Sequence, residues 1–200
     1  SFIVEELARK LNERIDAIIV PTIPVGFSRA WSEFPGTLWV TSATLKAYIK
    51  EICSCLVENG VRNMFFLNGH GPNVPVVEEI SQDFASKGVR CAQIDLWRFI
   101  GNLSKDLAEG ELPMGHSGEL ATSVIMAIRE DLVRRDRLSV DMPRRTLSAN
   151  FPDVIQYYPR SVTTPRAYEG DPTKATPEKG KRILTRCVDR LEEFLERWTE

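Results

Sequence analysis

The chain has two histidines, His70 and His116, and each lies in a glycine-flanked segment. His70 occupies Asn68-Gly69-His70-Gly71-Pro72-Asn73, directly after the apolar run Asn63–Leu67. His116 occupies Met114-Gly115-His116-Ser117-Gly118-Glu119. A neutral imidazole binds metals, and a protonated one donates a proton near neutral pH. Gly69 and Gly71 permit backbone angles closed to other residues and let the chain approach a metal or a substrate closely. Asn68 and Asn73 can hydrogen-bond across such a turn. The plain alternative for each histidine is a turn residue without a chemical task. For His116 that alternative has Ser117 capping the next helix.

Carboxylates and aromatics accompany them. Glu119 falls in the first turn of an expected helix, where a metal-binding or acid–base role competes with simple complementarity to the helix dipole. Asp95 ends an expected strand. Trp31, Trp39 and Trp97 lie in or beside loops and strand ends. Core packing is the default for each, and an aromatic wall around a small polar substrate is the functional reading. Ser28 and Ser117 lack the nucleophile elbow of a serine hydrolase. The glycine loops match neither a P-loop nor a dinucleotide fingerprint.

The elements that must position these groups alternate between strand and helix. Phe2, Ile3, Leu7, Leu11 and Ile15 form a helical stripe with no cap before it. Ala17–Val20 (AIIV) reads as a buried strand ended by Pro21, and a long Pro- and Gly-containing loop follows to Thr37. A helix marked by Leu45, Tyr48, Ile49, Ile52 and Leu56 starts at Thr41 or Ser42 and stops at Gly60. Asn63–Leu67 is a second buried strand, and it feeds the His70 loop. Next come a helix with Val76, Val77, Ile80 and Phe84 on one face, a strand over Val89–Leu96, and a helix over Gly118–Ile128. Between Arg134 and Pro172 the pattern is irregular. The last helix is capped by Thr176, has Pro177 at its first position, and buries Ile183, Leu184, Cys187, Leu191, Phe194 and Leu195. This alternation predicts an α/β fold: a mostly parallel sheet with helices on both faces, in one domain over 1–200. His70 then stands at the carboxyl end of a parallel strand, where such sheets place ligands, and His116 is expected nearby.

A chain of 200 residues, 42% of them hydrophobic, is long enough to bury a sizeable core. A net charge of −2 with dispersed basic residues argues against nucleic acid or an anionic membrane as partner. No apolar run approaches the ~20 residues that span a bilayer. The four cysteines, Cys53, Cys55, Cys91 and Cys187, have neither zinc-ribbon nor CxxC spacing. They read as reduced and mostly buried in a cytoplasmic protein.

Four segments together resemble the creatininase family. Leu67-Asn68-Gly69-His70-Gly71-Pro72-Asn73 resembles its LNGHGGN motif. Ser28 to Thr37, with Phe34-Pro35-Gly36-Thr37, resembles its GxSxxHxxFPGT stretch. Gly115-His116-Ser117-Gly118-Glu119 through Thr122-Ser123 resembles GHAGExETS. Gly170-Asp171-Pro172 through Ala175-Thr176 and Gly180 resembles its late GDP segment. The matches run in the family's order along nearly the whole chain.

The resemblance implies a three-layer αβα fold, a homo-oligomer of hexamer type, and one or two divalent ions (Zn, Mn or Fe). It implies hydrolysis of C–N bonds in small cyclic amides or formamides. The alternatives are a hydrolase of cyclic polyol ketones of the inosose type and a non-catalytic binding or scaffold relative. By the same resemblance His70 holds metal, His116 acts in catalysis, and Glu119 is an auxiliary metal ligand or base. Trp31, Asn68, Gly69, Gly71 and Ser117 then line the substrate pocket. Three positions depart from the pattern. Ala121 stands where the family has the Glu of ETS, and Trp31 where it has a His. Pro72 stands where creatininase has a metal-binding Glu, which speaks against creatinine as substrate. The family's ExHG segment and nearby Asp find no match, so the N-terminal strand and metal-ligand loop are expected to be absent and the metal site incomplete. Phe151, Val154, Ile155, Tyr157 and Tyr158 suggest a subunit contact, with folding over the chain's own core as the alternative.

Overall fold

A computed structural model describes residues 2–151 and 153–199. Along the chain run α1 (Phe2–Asn12), α2 (Ser42–Glu58), β1 (Asn63–Asn68), α3 (Val74–Ala85), β2 (Arg90–Asp95), α4 (Leu96–Leu103), α5 (Glu119–Arg129), α6 (Arg160–Thr163) and α7 (Pro177–Thr199). They belong to two compact units. The first comprises Ser1–Arg29, Leu38–Phe99 and Arg186–Glu200; the second comprises Ala30–Thr37 and Ile100–Thr185.

The first unit is built around a β1–α3–β2 crossover. The two strands pair in parallel, from Asn63 opposite Arg90 to Asn68 opposite Asp95. Parallel neighbours need a crossover, and α3 supplies it. Its face of Val76, Val77, Ile80 and Phe84 buries against Met64, Val89 and the Leu45, Ile49 and Cys53 face of α2. Ile23, Phe27 and Val40, from the long loop before α2, pack on the same core. The Thr41 hydroxyl accepts the Thr44 N–H at 3.1 Å and so caps α2. Outside the core, Lys46 pairs with Glu79, and Lys50 with Asp83 at 2.6 Å, so the two helices are also joined along their exposed faces.

Several expectations change. Ala17–Val20 is neither a strand nor buried: Ile18 is 83% exposed, and Ile19 and Val20 are exposed as well. A strand exists only through a neighbour's backbone groups, and among the described residues the sheet consists of β1 and β2 alone. Pro21 and Pro24, which lack an N–H, also weaken any ladder just beyond it. The expected three-layer αβα sheet is thus represented by a two-stranded parallel pair within a mostly helical chain. Helix α1 ends before Ile15, and Phe2 faces outward. Tyr48 on α2 is exposed. Phe194 is also exposed, although its ring lies 5.8 Å from those of Phe65 and Trp198.

In the second unit, α5 and the start of α7 meet backbone to side chain. A Cβ on Gly180 would come within 1.9 Å of the Ser123 carbonyl oxygen, so only glycine permits this approach. The Ser123 hydroxyl donates to the Glu119 carbonyl at 2.7 Å and accepts the Thr176 N–H at 3.1 Å. Thr176 in turn caps α7 by accepting the Lys179 N–H at 3.2 Å. The span from Arg134 to Pro172 is irregular, as expected, with short helical turns and one antiparallel bridge between Asp141 and Gly170. The side chains of Phe151, Val154, Ile155, Tyr157 and Tyr158 are all exposed, Tyr157 at 90%. They do not fold over a core of this chain. Among the described residues no helix is long and apolar enough to cross a membrane.

Candidate active site

In the first unit, β1 delivers His70 to the carboxyl end of the parallel pair, as the sequence predicts. The Asn68 side-chain oxygen accepts the His70 N–H at 3.2 Å, an Asx turn that redirects the chain at the strand end. The Trp97 indole N–H donates to the Gly69 carbonyl at 3.0 Å, and Asp95 Oδ1 accepts the Trp97 N–H at 3.2 Å. Trp97 therefore anchors the histidine loop. Asn73 holds the loop's other end: its Oδ1 accepts the Phe27 N–H at 2.9 Å. Gly26 lies so close that a Cβ there would meet the Asn73 amide at 2.8 Å. This brings Ser28 beside His70, with its hydroxyl 3.4 Å from Nδ1. Burial pulls the His70 pKa below the ordinary imidazole value, and the Asp95 charge opposes that shift. The ring is accordingly neutral at pH 7, the state in which imidazole binds metal or accepts a proton. Neither Ser28 beside His70 nor Asn73 bridging to Phe27 was found from the sequence, because both contacts join distant loops.

In the second unit, three glycines let two backbones touch. A Cβ on Gly115 would meet the Glu169 carbonyl at 2.3 Å, one on Gly170 the Leu112 carbonyl at 2.6 Å, and one on Gly118 the Gly115 carbonyl at 3.0 Å. The Glu169 N–H donates to the His116 carbonyl at 2.8 Å. The GHSGE and GDP segments are thus two sides of one backbone contact. Leu112 and Ser117 both have left-handed backbone, with φ of 49° and 61°. For a residue with a side chain this conformation costs about 1–2 kcal/mol. His116 is exposed. Trp31 stacks on its ring, with centroids 4.0 Å apart and planes 20° from parallel. Ser117 does not cap α5: its side chain is exposed, and the capping position falls to Gly118.

Glu119 is the acceptor centre of a buried network. It is fully buried. Its carboxylate accepts the Glu109 N–H at 3.0 Å and the Gly110 N–H at 2.8 Å, and it pairs with the Lys179 ammonium at 2.6 Å. A carboxylate with two oxygens has little acceptor capacity left after these contacts. Lys179 also pairs with the Glu109 carboxylate at 2.7 Å, so it neutralises both acids.

A family model for creatininase, described as creatinine amidohydrolase, matches residues 1–195. The chain belongs to the creatininase family. It is 32% identical to a creatinine amidohydrolase of Pseudomonas putida over 91% of this chain and 75% of that protein. It is 26% identical to a mycofactocin precursor peptide peptidase of Mycobacterium ulcerans over 91% of this chain and 67% of that protein. Its fold matches that of a putative creatinine amidohydrolase from Bacteroides fragilis with a TM-score of 0.80, at 24% identity, over 97% of this chain and 79% of that one. Creatininase structures of a manganese form and a zinc–zinc type share the fold, with TM-scores of 0.75 and 0.78.

Within this creatininase-family chain, no group of three or more His, Cys, Asp or Glu side chains stands ready for a metal among the described residues. Its own described donors therefore do not fit a closed metal site. The cysteines add none. All four are free thiols; Cys53 and Cys187 are buried, which pushes their pKa values up to about 11 and about 12. Trp39, partly buried, lies under the exposed Arg29 guanidinium at 4.9 Å.

Proposed function

We propose that this chain is a hydrolase of C–N bonds in a small cyclic amide, formamide or related substrate other than creatinine. Family membership supports the reaction class. The two curated relatives are named for cleaving an amide and a peptide, and both reactions break a C–N bond next to a carbonyl. The observation that carries the reading within this chain is the His70 loop: a half-buried, neutral imidazole at the end of a parallel strand, with its backbone tied down by Asn68, Asn73 and Trp97. His70 is the side chain here best suited to a divalent ion. The described His, Cys, Asp and Glu side chains do not complete a ligand set around it.

The chain's own groups have defined tasks in this reading. The Ser28 hydroxyl, within reach of His70 Nδ1, hydrogen-bonds the ring or a substrate carbonyl. By the family resemblance alone, His116 is assigned the proton donated to a leaving nitrogen, which would otherwise depart as a poor leaving group. Pro72, beside His70, offers no side-chain donor, in keeping with a substrate other than creatinine.

The test is a turnover screen of the protein with Zn, Mn or Fe against cyclic amides, N-formyl compounds and cyclic polyol ketones. Metal content is followed by elemental analysis. Turnover of an amide, lost in His70→Ala and in His116→Gln, is the expected result. Turnover confined to polyol ketones moves the substrate class to those. Unchanged turnover in His70→Ala, or stable metal-free protein with no turnover, refutes the reading.

A further inference from the structure

We propose that Trp31 is a positioning residue for His116: its indole, carried on a braced loop, holds the imidazole in one orientation. This rests on the reading of His116 as the proton-transfer group.

An exposed histidine ordinarily samples several rotamers, because nothing distinguishes them energetically. Here one side-chain placement has a partner. The two rings lie 4.0 Å apart and only 20° from parallel. The attraction of stacked aromatic groups is about 0.5–1.5 kcal/mol beyond burial, enough to favour one rotamer several-fold. The backbone below is fixed independently by the Glu169 N–H bond to the His116 carbonyl.

Trp31 is itself held. The Arg160 guanidinium lies over the indole, 4.9 Å from its centroid. Phe34 flanks it at 5.7 Å. The Glu33 carboxylate accepts the Ser161 N–H at 3.0 Å, which ties the tryptophan's segment to the start of α6. Arg160 reaches Glu169 Oε1 at 3.5 Å, and the Thr164 hydroxyl donates to the same oxygen at 2.5 Å. Glu169 therefore touches the arrangement twice, through its N–H at His116 and through its carboxylate at Arg160. A tryptophan that merely filled space would need neither the guanidinium over its ring nor a loop so tied. The stack covers one face of the imidazole and fixes the plane in which its nitrogens lie, and a fixed orientation is what a directed proton transfer requires.

The chain has two histidines, so an NMR spectrum of its imidazole carbons and protons contains two sets of signals. His70→Gln assigns them. The expected result is a His116 set displaced upfield by the indole ring current in the wild type. The displacement disappears in Trp31→Leu and survives in Trp31→Phe, which keeps a stacking face. Thermal melting and far-UV circular dichroism identify any variant that fails to fold. A folded Trp31→Leu with the same displacement, or a wild type with none, overturns the inference and leaves the proposed reaction standing. On any amide turned over in the screen above, Trp31→Leu should approach the loss of His116→Gln, and Trp31→Phe should recover most of it. A displacement lost without change in turnover reduces Trp31 to packing and overturns the positioning role. Full turnover in His116→Gln refutes the assignment of His116 itself, and the positioning role falls with it.

Discussion

Replacing Glu119 by alanine separates a structural carboxylate from a catalytic or metal-binding one. The substitution removes the acceptor of the Glu109 and Gly110 N–H groups and one partner of Lys179, whose side chain is 12% exposed. Deleting one member of a buried ion pair costs roughly 3–5 kcal/mol, because the other charge stays buried. Lys179 keeps the exposed Glu109 carboxylate at 2.7 Å and the Lys174 carbonyl at 2.9 Å, which places the loss near the lower end, about 3 kcal/mol. For a chain of this length each kcal/mol lowers Tm by about 2–4 °C, so a drop of roughly 6–12 °C is expected. It should appear in metal-free protein by calorimetry or urea unfolding. Glu119→Gln, which keeps one acceptor oxygen, should lose less. Zinc or manganese binding, measured by titration calorimetry well below both melting points, should be unchanged. A Glu119→Ala protein that melts with the wild type but binds metal more weakly would refute the structural assignment.

Gly180→Ala gains helix propensity of about 1 kcal/mol, yet its methyl meets the Ser123 carbonyl at 1.9 Å. Net destabilisation is expected in urea unfolding. Ser117→Val places a β-branched side chain at φ 61° and should be less stable than Ser117→Gly by about 2 kcal/mol. The folded-state pKa of His70 is depressed, so the unfolded chain binds more protons in acid. Stability should therefore fall as the pH drops below the unfolded value of about 6.5 and on through the folded one. His70→Gln should flatten that slope in denaturation midpoints measured between neutral and mildly acid pH.

Local signals were legible. Thr41 and Thr176 cap their helices, Gly60 stops its helix with φ of 92°, and the apolar run before His70 is a strand that ends at the expected loop. What the sequence left open or misplaced depends on distant partners. The composition of Ala17–Val20 suits a strand, but pairing is decided by whether another backbone lies alongside. A carboxylate in the first turn of a helix looks the same whether it serves the dipole, a metal or a lysine. The lysine that decides the case is 60 residues further on. Trp31 read as a pocket wall, and its stacking on His116 follows from a loop docking that no spacing rule contains. The pairing of the GHSGE and GDP segments was visible as two motifs, and their backbone contact explains why each needs its glycines.

The exposed stretch at Ala17–Val20 bears on how the protein behaves when concentrated. Three consecutive β-branched apolar residues, Ile18, Ile19 and Val20, are exposed and lie outside any strand among the described residues, the kind of template on which another chain can add a strand and start aggregation. Asp16 before it and Pro21 after it act as gatekeepers, one by charge repulsion between stacked copies and one by denying a ladder hydrogen bond. Resistance to aggregation at this stretch is thus assigned to Asp16 and Pro21. Asp16→Asn or Pro21→Ala should raise the aggregation rate of concentrated protein, followed by light scattering.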